Sequence, residues 1–324
     1  MSIATAYAFP NIAFIKYWGN RDPQLNIPAN GSISMNLDGL ETRTQVLFDA
    51  SLRQDEFILN GERQSGEGLQ RVRAFLDHVR RMSGMELRAR VQSENNYPTG
   101  VGVASSAAAF AALSLAASAA AGLDLDKAGL SRLARLGSGS ACRSIPDGFV
   151  EWKAGSDHET SYAITIAPPD HWELTDCIAV VDTTPKNIGS SLGHRLAESS
   201  PLQAARLAGA DQRLAACRQA ILERDFEALA QVVELDSNLL HSVTMTCSPA
   251  IFYWQPATLR IIHAVLDMRA RGVRACYTVD AGPNVHVICD RDAQPTVEGE
   301  LSSLAQVEKI ICAHPGSGAR LIDR

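Results

Sequence analysis

With 324 residues, 46% hydrophobic and 20% charged, the chain has the composition of a soluble globular protein and room for one large or two ordinary domains. A net charge of −6 and a pI near 5.8 argue against a nucleic-acid surface, and the apolar stretch at residues 107–121 is too short and too alanine-rich for a membrane span. The seven cysteines are odd in number and scattered, with no Cys-x-x-Cys pair; together with an opening that lacks signal-peptide features, this points to reduced thiols in a cytoplasm and not to a disulfide framework or a zinc site.

In chain order, residues 3–9 and 11–17 read as strands on either side of Pro10, and residues 42–48 and 56–59 alternate apolar with polar and end in turn residues. Asn60-Gly61 signals a hairpin. Leu69, Val72, Phe75, Leu76 and Val79 recur at helical spacing across residues 68–82. Residues 86–91 read as a strand entering a glycine-rich loop, residues 107–121 as a core helix and residues 126–136 as another helix. Strands are expected at 149–152 and 161–166, and the pattern changes near Pro168-Pro169, which suggests domains at 1–172 and 173–324. Beyond it come a buried strand at 177–181, helices at about 202–224, 226–240 and 256–271, strands at 275–279 and 285–289, a helix near 293–304 and a strand near 307–312. Elements intermixed in this way make an α+β protein of two subdomains.

Five segments carry chemistry. In Tyr97-Pro-Thr-Gly-Val-Gly-Val-Ala-Ser-Ser-Ala107, Gly100 and Gly102 allow a sharp turn and a close approach of backbone to ligand. Ser105 and Ser106 then sit at a helix start, where free N–H groups and the dipole favour an anion and hydroxyls can reach a phosphate or its magnesium. It is neither a P-loop, lacking Gly-Lys-Ser/Thr, nor a dinucleotide fingerprint, since Ser105 stands where a third Gly or Ala would be expected. Asn11-Ile-Ala-Phe-Ile-Lys-Tyr-Trp-Gly19 gathers Asn11, Lys16, Tyr17 and Trp18; Gly137-Ser-Gly-Ser-Ala-Cys-Arg-Ser144 offers hydroxyls and Arg143, suited to a carboxylate or phosphate, on a flexible backbone. Residues 182–194 form a polar loop with Lys186, Ser190, Ser191 and His194, and Asp280-Ala-Gly-Pro-Asn284 puts a carboxylate, a candidate base, at the end of an apolar strand. Each has a plainer reading: a glycine turn capping a buried helix, a surface lysine at a strand end, a linker, a turn-forming aspartate. His241 and His263 on helical stretches read as structural, and Trp18, Trp152, Trp172 and Trp254 as packing residues.

In this order, with Phe252-Tyr253, the segments resemble the mevalonate diphosphate decarboxylases of the GHMP kinase superfamily across nearly the whole chain. The resemblance implies the GHMP kinase fold, an N-terminal domain like ribosomal protein S5 domain 2 and a C-terminal ferredoxin-like α+β domain, with the active site in the cleft between them and a homodimeric assembly. It implies ATP and Mg2+ as cofactors and a phosphorylated mevalonate as substrate. By that resemblance Asp280 is the base or orienting carboxylate at the substrate's 3-hydroxyl, Arg143 with Asn11 holds the substrate carboxylate, and Lys16 stabilises charge near the transferring phosphate. Pro98, Gly100, Gly102, Ala104, Ser105 and Ser106 would bind ATP, with Ser106 on magnesium. Tyr17, Asn20, Ser138, Gly139, Ser140, Ser190 and Ser191 would line the substrate site.

Three positions depart from the family pattern: Asn20 stands where Lys is usual, Ser191 where many bacterial members have Arg, and Asp147 where Gly is usual. Each missing cation removes a charge-assisted contact of roughly 1.5–3 kcal/mol. That tilts the expectation slightly towards mevalonate 5-monophosphate over the 5-diphosphate, with Lys186, His194 or Arg195 as compensating cations. Two rivals remain: a superfamily kinase, such as a mevalonate 3-kinase, that stops after phosphoryl transfer, and a non-catalytic phosphometabolite-binding protein.

Overall fold

The computed structural model of the chain describes residues 2–97, 103, 105–184 and 188–323. Pro98, Gly100, Gly102 and Ala104 of the glycine loop, and Lys186, lie outside the described residues.

One sheet runs Arg320–Asp323, Ser2–Ala8, Thr42–Asp49, Arg88–Asn95, Glu56–Leu59, Glu62–Arg63 in spatial order. Alternation in Thr42–Asp49 buries Thr42, Thr44, Val46 and Phe48 on one face. The hairpin signal is met: Asn60 and Gly61 both take positive φ, 50° and 81°, and Leu59 pairs with Glu62. Helices Gly66–Ser83, Ser105–Ala120 and Lys127–Gly137 cover the buried face, with Val46, Phe48, Phe75, Leu76, Ala111 and Leu133 in one core. Ser105–Ala120 is apolar all round and so is buried on most sides, and its alanines let neighbouring backbones approach closely.

The second sheet is eight-stranded and runs Ala163–Ala167, Phe149–Trp152, Ser32–Asp38, Lys309–Pro315, Leu174–Val180, Val285–Asp290, Ala275–Val279, with Asn11–Ile15 paired beside Ser32–Asp38. Leu174–Val180 is buried at every position because both faces are covered. Ile178 and Val180 pack with Ile221, Leu229 and Val233 from helices Ala210–Glu223 and Phe226–Thr246. Cys177 and Ala179 pack with Ile261, Val265, Val297 and Leu301 from helices Pro256–Ala270 and Gln294–Ser302. The chain's end returns to its beginning: Pro315 pairs with Leu37, and Asp323 with Thr5.

Several elements differ from the sequence reading for identifiable reasons. Ser32–Asp38 was not legible as a strand because its buried positions include Ser32, Ser34 and Asn36, whose needs are partly met by residues distant in sequence: Asn36 Nδ2 donates to Pro146 O at 2.7 Å. The strand expected over 11–17 stops at Ile15, because the Lys16 main chain bonds to side chains instead of a ladder: its N–H donates to Asp236 Oδ2 (2.6 Å), and its carbonyl accepts from Arg206 Nη2 (2.8 Å) and Asn30 Nδ2 (3.0 Å). The helix expected over 202–224 is two, Gln203–Ala208 and Ala210–Glu223, broken at Gly209. The strand expected at 86–91 lies at Arg88–Asn95, and the polar loop contains a short helix, Ser190–Leu196. Gly139–Ser144 is a 3-10 helix with Gly139, Ala141, Cys142, Arg143 and Ser144 buried, not a flexible stretch. Among the described residues no helix is long and apolar enough to cross a membrane.

Candidate active site

The end of strand Asn11–Ile15 and the end of strand Ala275–Val279 meet at one point. There Lys16 Nζ donates to Asp280 Oδ1 at 2.6 Å, with the lysine side chain 2% and the aspartate side chain 26% exposed. Burial pushes the Asp280 carboxyl up, but Lys16, His286 and Arg143 outweigh it and hold it below the ordinary value, so it is ionised at neutral pH. His241 is structural, as its helical setting suggested: it is buried, its Nε2 donates to Val279 O at 3.1 Å, and it anchors the strand just before Asp280. Burial lowers its pKa to about 3, so it is neutral there.

The pair opens into a cavity of about 410 Å³. Of the residues named from sequence, Lys16, Tyr17, Asn20, Ser105, Ser106, Ser138, Gly139, Ser140, Arg143, Ser190, Ser191 and Asp280 all line it. Segments more than 260 positions apart in the chain thus share one chamber, Lys16 and Asp280 being separated by 264. Among the described residues the lining carries four cations, Lys16, Arg71, Arg143 and Arg195, against the single carboxylate of Asp280, which is the charge balance of a site for polyanions.

Asn11 is not among the lining residues. It is 2% exposed; its Oδ1 accepts from Arg143 Nε (3.2 Å), and its Nδ2 donates to Ser144 Oγ (2.9 Å) and Ser140 O (3.2 Å). Arg143 Nη1 donates to Ser32 Oγ at 2.6 Å. Asn11 and Ser32 therefore fix the plane of the guanidinium. The glycines of this motif serve close approach: a Cβ on Gly139 would lie 2.6 Å from the Tyr17 ring, and one on Gly137 2.0 Å from Phe110. The Tyr17 hydroxyl donates to Asn20 Oδ1, so both residues are held at the wall as a unit.

At the other end Ser106 Oγ lies 3.3 Å from Ser138 Oγ, joining the start of helix Ser105–Ala120 to the Gly137–Ser144 segment. Beside it a second chamber of about 190 Å³ is walled by Phe57, Leu59, Val72, Val91, Phe110 and Leu113, with Ser105, Ser106 and Arg71 shared between the two. Arg71 escaped the sequence reading because it sits on the polar face of helix Gly66–Ser83 and looked like an ordinary solvated residue. In the fold its guanidinium stacks 5.1 Å from the Phe110 ring centroid, and Nη2 donates to Gly137 O at 3.2 Å.

His194 cannot be a compensating cation. Its Nδ1 accepts from Gly19 N–H at 3.0 Å, and its ring lies between Tyr17 and Trp18, centroids 4.0 and 4.7 Å away. Its ring is only partly shielded from solvent, yet burial, with Arg206 and Arg143 nearby, lowers its pKa to about 3, and an Nδ1 that accepts must be unprotonated. Asp147 now has an account: it accepts from Gly318 N (2.9 Å), Arg320 Nη2 (2.7 Å) and Lys127 Nζ (2.5 Å), tying the chain's end to helix Lys127–Gly137. Also unforeseen is the buried group under Lys16, where Asp236 joins Arg213 (2.7 Å) and Arg206 (3.8 Å).

A cationic cleft that sets an ionised aspartate against a buried lysine, beside a hydroxyl-bearing helix start and a small apolar chamber, defines an enzyme handling phosphorylated substrates with a nucleotide. Residues 8–163 match the diphosphomevalonate decarboxylase-like N-terminal domain, and residues 177–320 the mevalonate 5-diphosphate decarboxylase C-terminal domain. The diphosphomevalonate decarboxylase of Candida albicans is 39% identical over 315 residues, covering 92% of this chain and 87% of the relative; that of Homo sapiens is 38% identical, covering 88% and 76%. The mevalonate diphosphate decarboxylase from Staphylococcus aureus superposes with a TM-score of 0.95 at 36% identity, over 99% of this chain and 98% of that one. A structure of MDDEF in complex with MVAPP, AMPPCP and magnesium gives a TM-score of 0.95 at 36% identity, over 100% and 99%. The chain belongs to the mevalonate diphosphate decarboxylase family, has the two-domain GHMP kinase fold that its sequence implied, and is an ATP-dependent decarboxylase of the mevalonate pathway.

Proposed function

We propose that the chain uses ATP to phosphorylate the tertiary 3-hydroxyl of mevalonate 5-diphosphate and then eliminates phosphate and CO₂, yielding isopentenyl diphosphate and ADP. The observation that carries this reading is the Lys16–Asp280 pair at 2.6 Å in the same chamber as Arg143. A tertiary hydroxyl is a poor nucleophile and a poor leaving group. Asp280 orients the hydroxyl and takes its proton, while Lys16 offsets negative charge at the oxygen and the transferring phosphoryl group. Arg143 holds the substrate carboxylate until it leaves as CO₂, its plane set by Asn11 and Ser32.

Ser105 and Ser106 at the helix start, with Arg71 beside them, fit the triphosphate, and the 190 Å³ apolar chamber fits a flat purine ring. Ser106, exposed to the cavity, is the hydroxyl available to magnesium, which would supply charge neutralisation between the phosphates. The AMPPCP and magnesium of the MDDEF complex support ATP and magnesium as the groups this site takes. Arg143→Lys keeps the charge but loses the planar fork, so substrate affinity should fall roughly ten- to a hundredfold; a lysine variant that binds substrate as tightly as the parent would remove Arg143 from this role.

The slight preference for the monophosphate drawn from Asn20 and Ser191 finds no support among the relatives, which are diphosphomevalonate decarboxylases. Arg195 at the cavity wall supplies a cation near Ser191 and His194. Arg195→Gln should therefore lower kcat/KM for the 5-diphosphate roughly ten- to a hundredfold while the 5-monophosphate value moves much less. Equal losses on both substrates would sink the assignment of Arg195 to the outer phosphate. Release of one CO₂ per ADP separates this reading from a kinase. The division at 172/173 is retained as our placement of the domain boundary; it is supported by the gap between the two matched segments, 8–163 and 177–320.

A further inference from the structure

Three of the seven cysteines that looked scattered along the chain converge on one face of the C-terminal sheet. Cys177 and Cys312 are direct cross-strand partners, and Cys289, paired with Thr175, lies on the same face one register step away. Helix Gln294–Ser302 packs over this face and brings Glu298 to its edge. Cys312 Sγ is 3.3 Å from Cys177 Sγ and 2.9 Å from Glu298 Oε1, and the three donor atoms all lie within 4.8 Å of one another. Cys177 is buried, whereas Cys312 and Glu298 are half-buried, so the group has a floor and a mouth. None of the three lines the active-site cavity.

We propose that Cys177, Cys312 and Glu298 form a binding site for a thiolate-preferring divalent cation, of which Zn2+ is the type. Two thiolates and a carboxylate are a donor set that zinc accepts, with Zn–S near 2.3 Å and Zn–O near 2.0 Å. A tetrahedron of those bond lengths has S···S and S···O edges of about 3.5–3.8 Å. The observed 3.3 and 2.9 Å need open by only about half an ångström, within rotamer adjustment of Cys312 and Glu298. A water entering at the half-buried mouth completes four-coordination.

The carboxylate already faces the sulfurs: Glu298 Oε1 accepts from the Cys312 thiol (2.9 Å) and from Gln294 Nε2 (2.6 Å). On binding, two S–H bonds break, two S–Zn bonds form and two protons pass to solvent; the ion itself drives that deprotonation. A disulfide between Cys177 and Cys312 would use the same two sulfurs but not Glu298, whose carboxylate supplies the third donor that a cation takes.

The test uses the full chain, reduced, stripped by a chelator and desalted. It is titrated with Zn2+ alone against a chromophoric chelator, and with Cd2+ alone, whose thiolate bonds give an ultraviolet charge-transfer band. One site per chain is expected, weakened roughly tenfold or more by Glu298→Gln, with the Cd2+ band reduced or lost in Cys312→Ser. ATP-dependent decarboxylation without added zinc should be unchanged in both variants. Glu298 is half-buried on a helix edge, so Glu298→Gln keeps the measurement available even where Cys312→Ser folds poorly. Binding unaffected by either substitution overturns the proposal. So does reduced protein that binds neither ion, including the case where oxidation in air makes the chain two hydrogens lighter through a Cys177–Cys312 disulfide.

Discussion

Asp280→Asn is expected to lower ATP-dependent decarboxylation by about 10²–10⁴-fold, the usual worth of a positioned proton acceptor. Asparagine is isosteric and its Oδ1 can still accept from Lys16 Nζ, so the 2.6 Å contact and the cavity wall survive the change. What is lost is the negative charge: Lys16 loses its carboxylate partner, and the substrate hydroxyl has no base. ADP formation and CO₂ release should fall together, because both follow proton removal from the 3-hydroxyl. A variant within about threefold of the parent would end the assignment of Asp280 as the proton acceptor. The pH profile gives a second reading. A base works when deprotonated, and Lys16, His286 and Arg143 pull the Asp280 pKa below 3.8. The acid limb of kcat/KM should therefore lie below the usual carboxylate range, with activity held as pH falls until that lowered value is crossed. An acid limb centred above about pH 5 would contradict an Asp280 that is ion-paired in the free enzyme.

Asp236→Asn is expected to be the most damaging change to stability, at roughly 3–5 kcal/mol. Asp236 is fully buried and serves three donors: Arg213 Nε (2.7 Å), the Lys16 N–H (2.6 Å) and, more distantly, Arg206 Nη2 (3.8 Å). Arg206 is 1% exposed and itself donates to Lys16 O at 2.8 Å. An amide presents NH₂ where one carboxylate oxygen stood, so a donor must face a donor, and two buried guanidiniums lose their only fully buried counter-charge among the described residues. Replacing the group wholesale by apolar residues could be neutral; removing the anion alone cannot. Urea unfolding of the purified variant measures the cost, and a loss under about 1 kcal/mol would show that the arginines find other partners. Because this group fixes the Lys16 main chain, residual folded enzyme should also show reduced kcat.

The sequence by itself carried the chemistry. Lys16, Arg143, Asp280 and the serines at 105 and 106 stood out as candidates because they lie in short contiguous motifs, but residue type and spacing left plainer readings open, and it was the order of those motifs, resembling the family's, that gave each a role. The family came with that order, and the fold class and most helices and strands were legible because apolar periodicity is a local property. Tertiary structure alone decided the rest. Ser32–Asp38 is a central strand whose polar side chains are matched by residues far away, such as Arg143 on Ser32. Arg71 becomes a site residue only because Phe110 and Gly137 meet it. Asn11 is tied to Arg143 because the guanidinium donates to its oxygen, and His194 is neutral because Gly19 N–H donates to its nitrogen. Cys177 and Cys312, 135 positions apart, become neighbours by strand register alone. In each case the deciding partner is distant in sequence, and burial makes hydrogen bonding and charge depend on that partner more than on the residue's own neighbours.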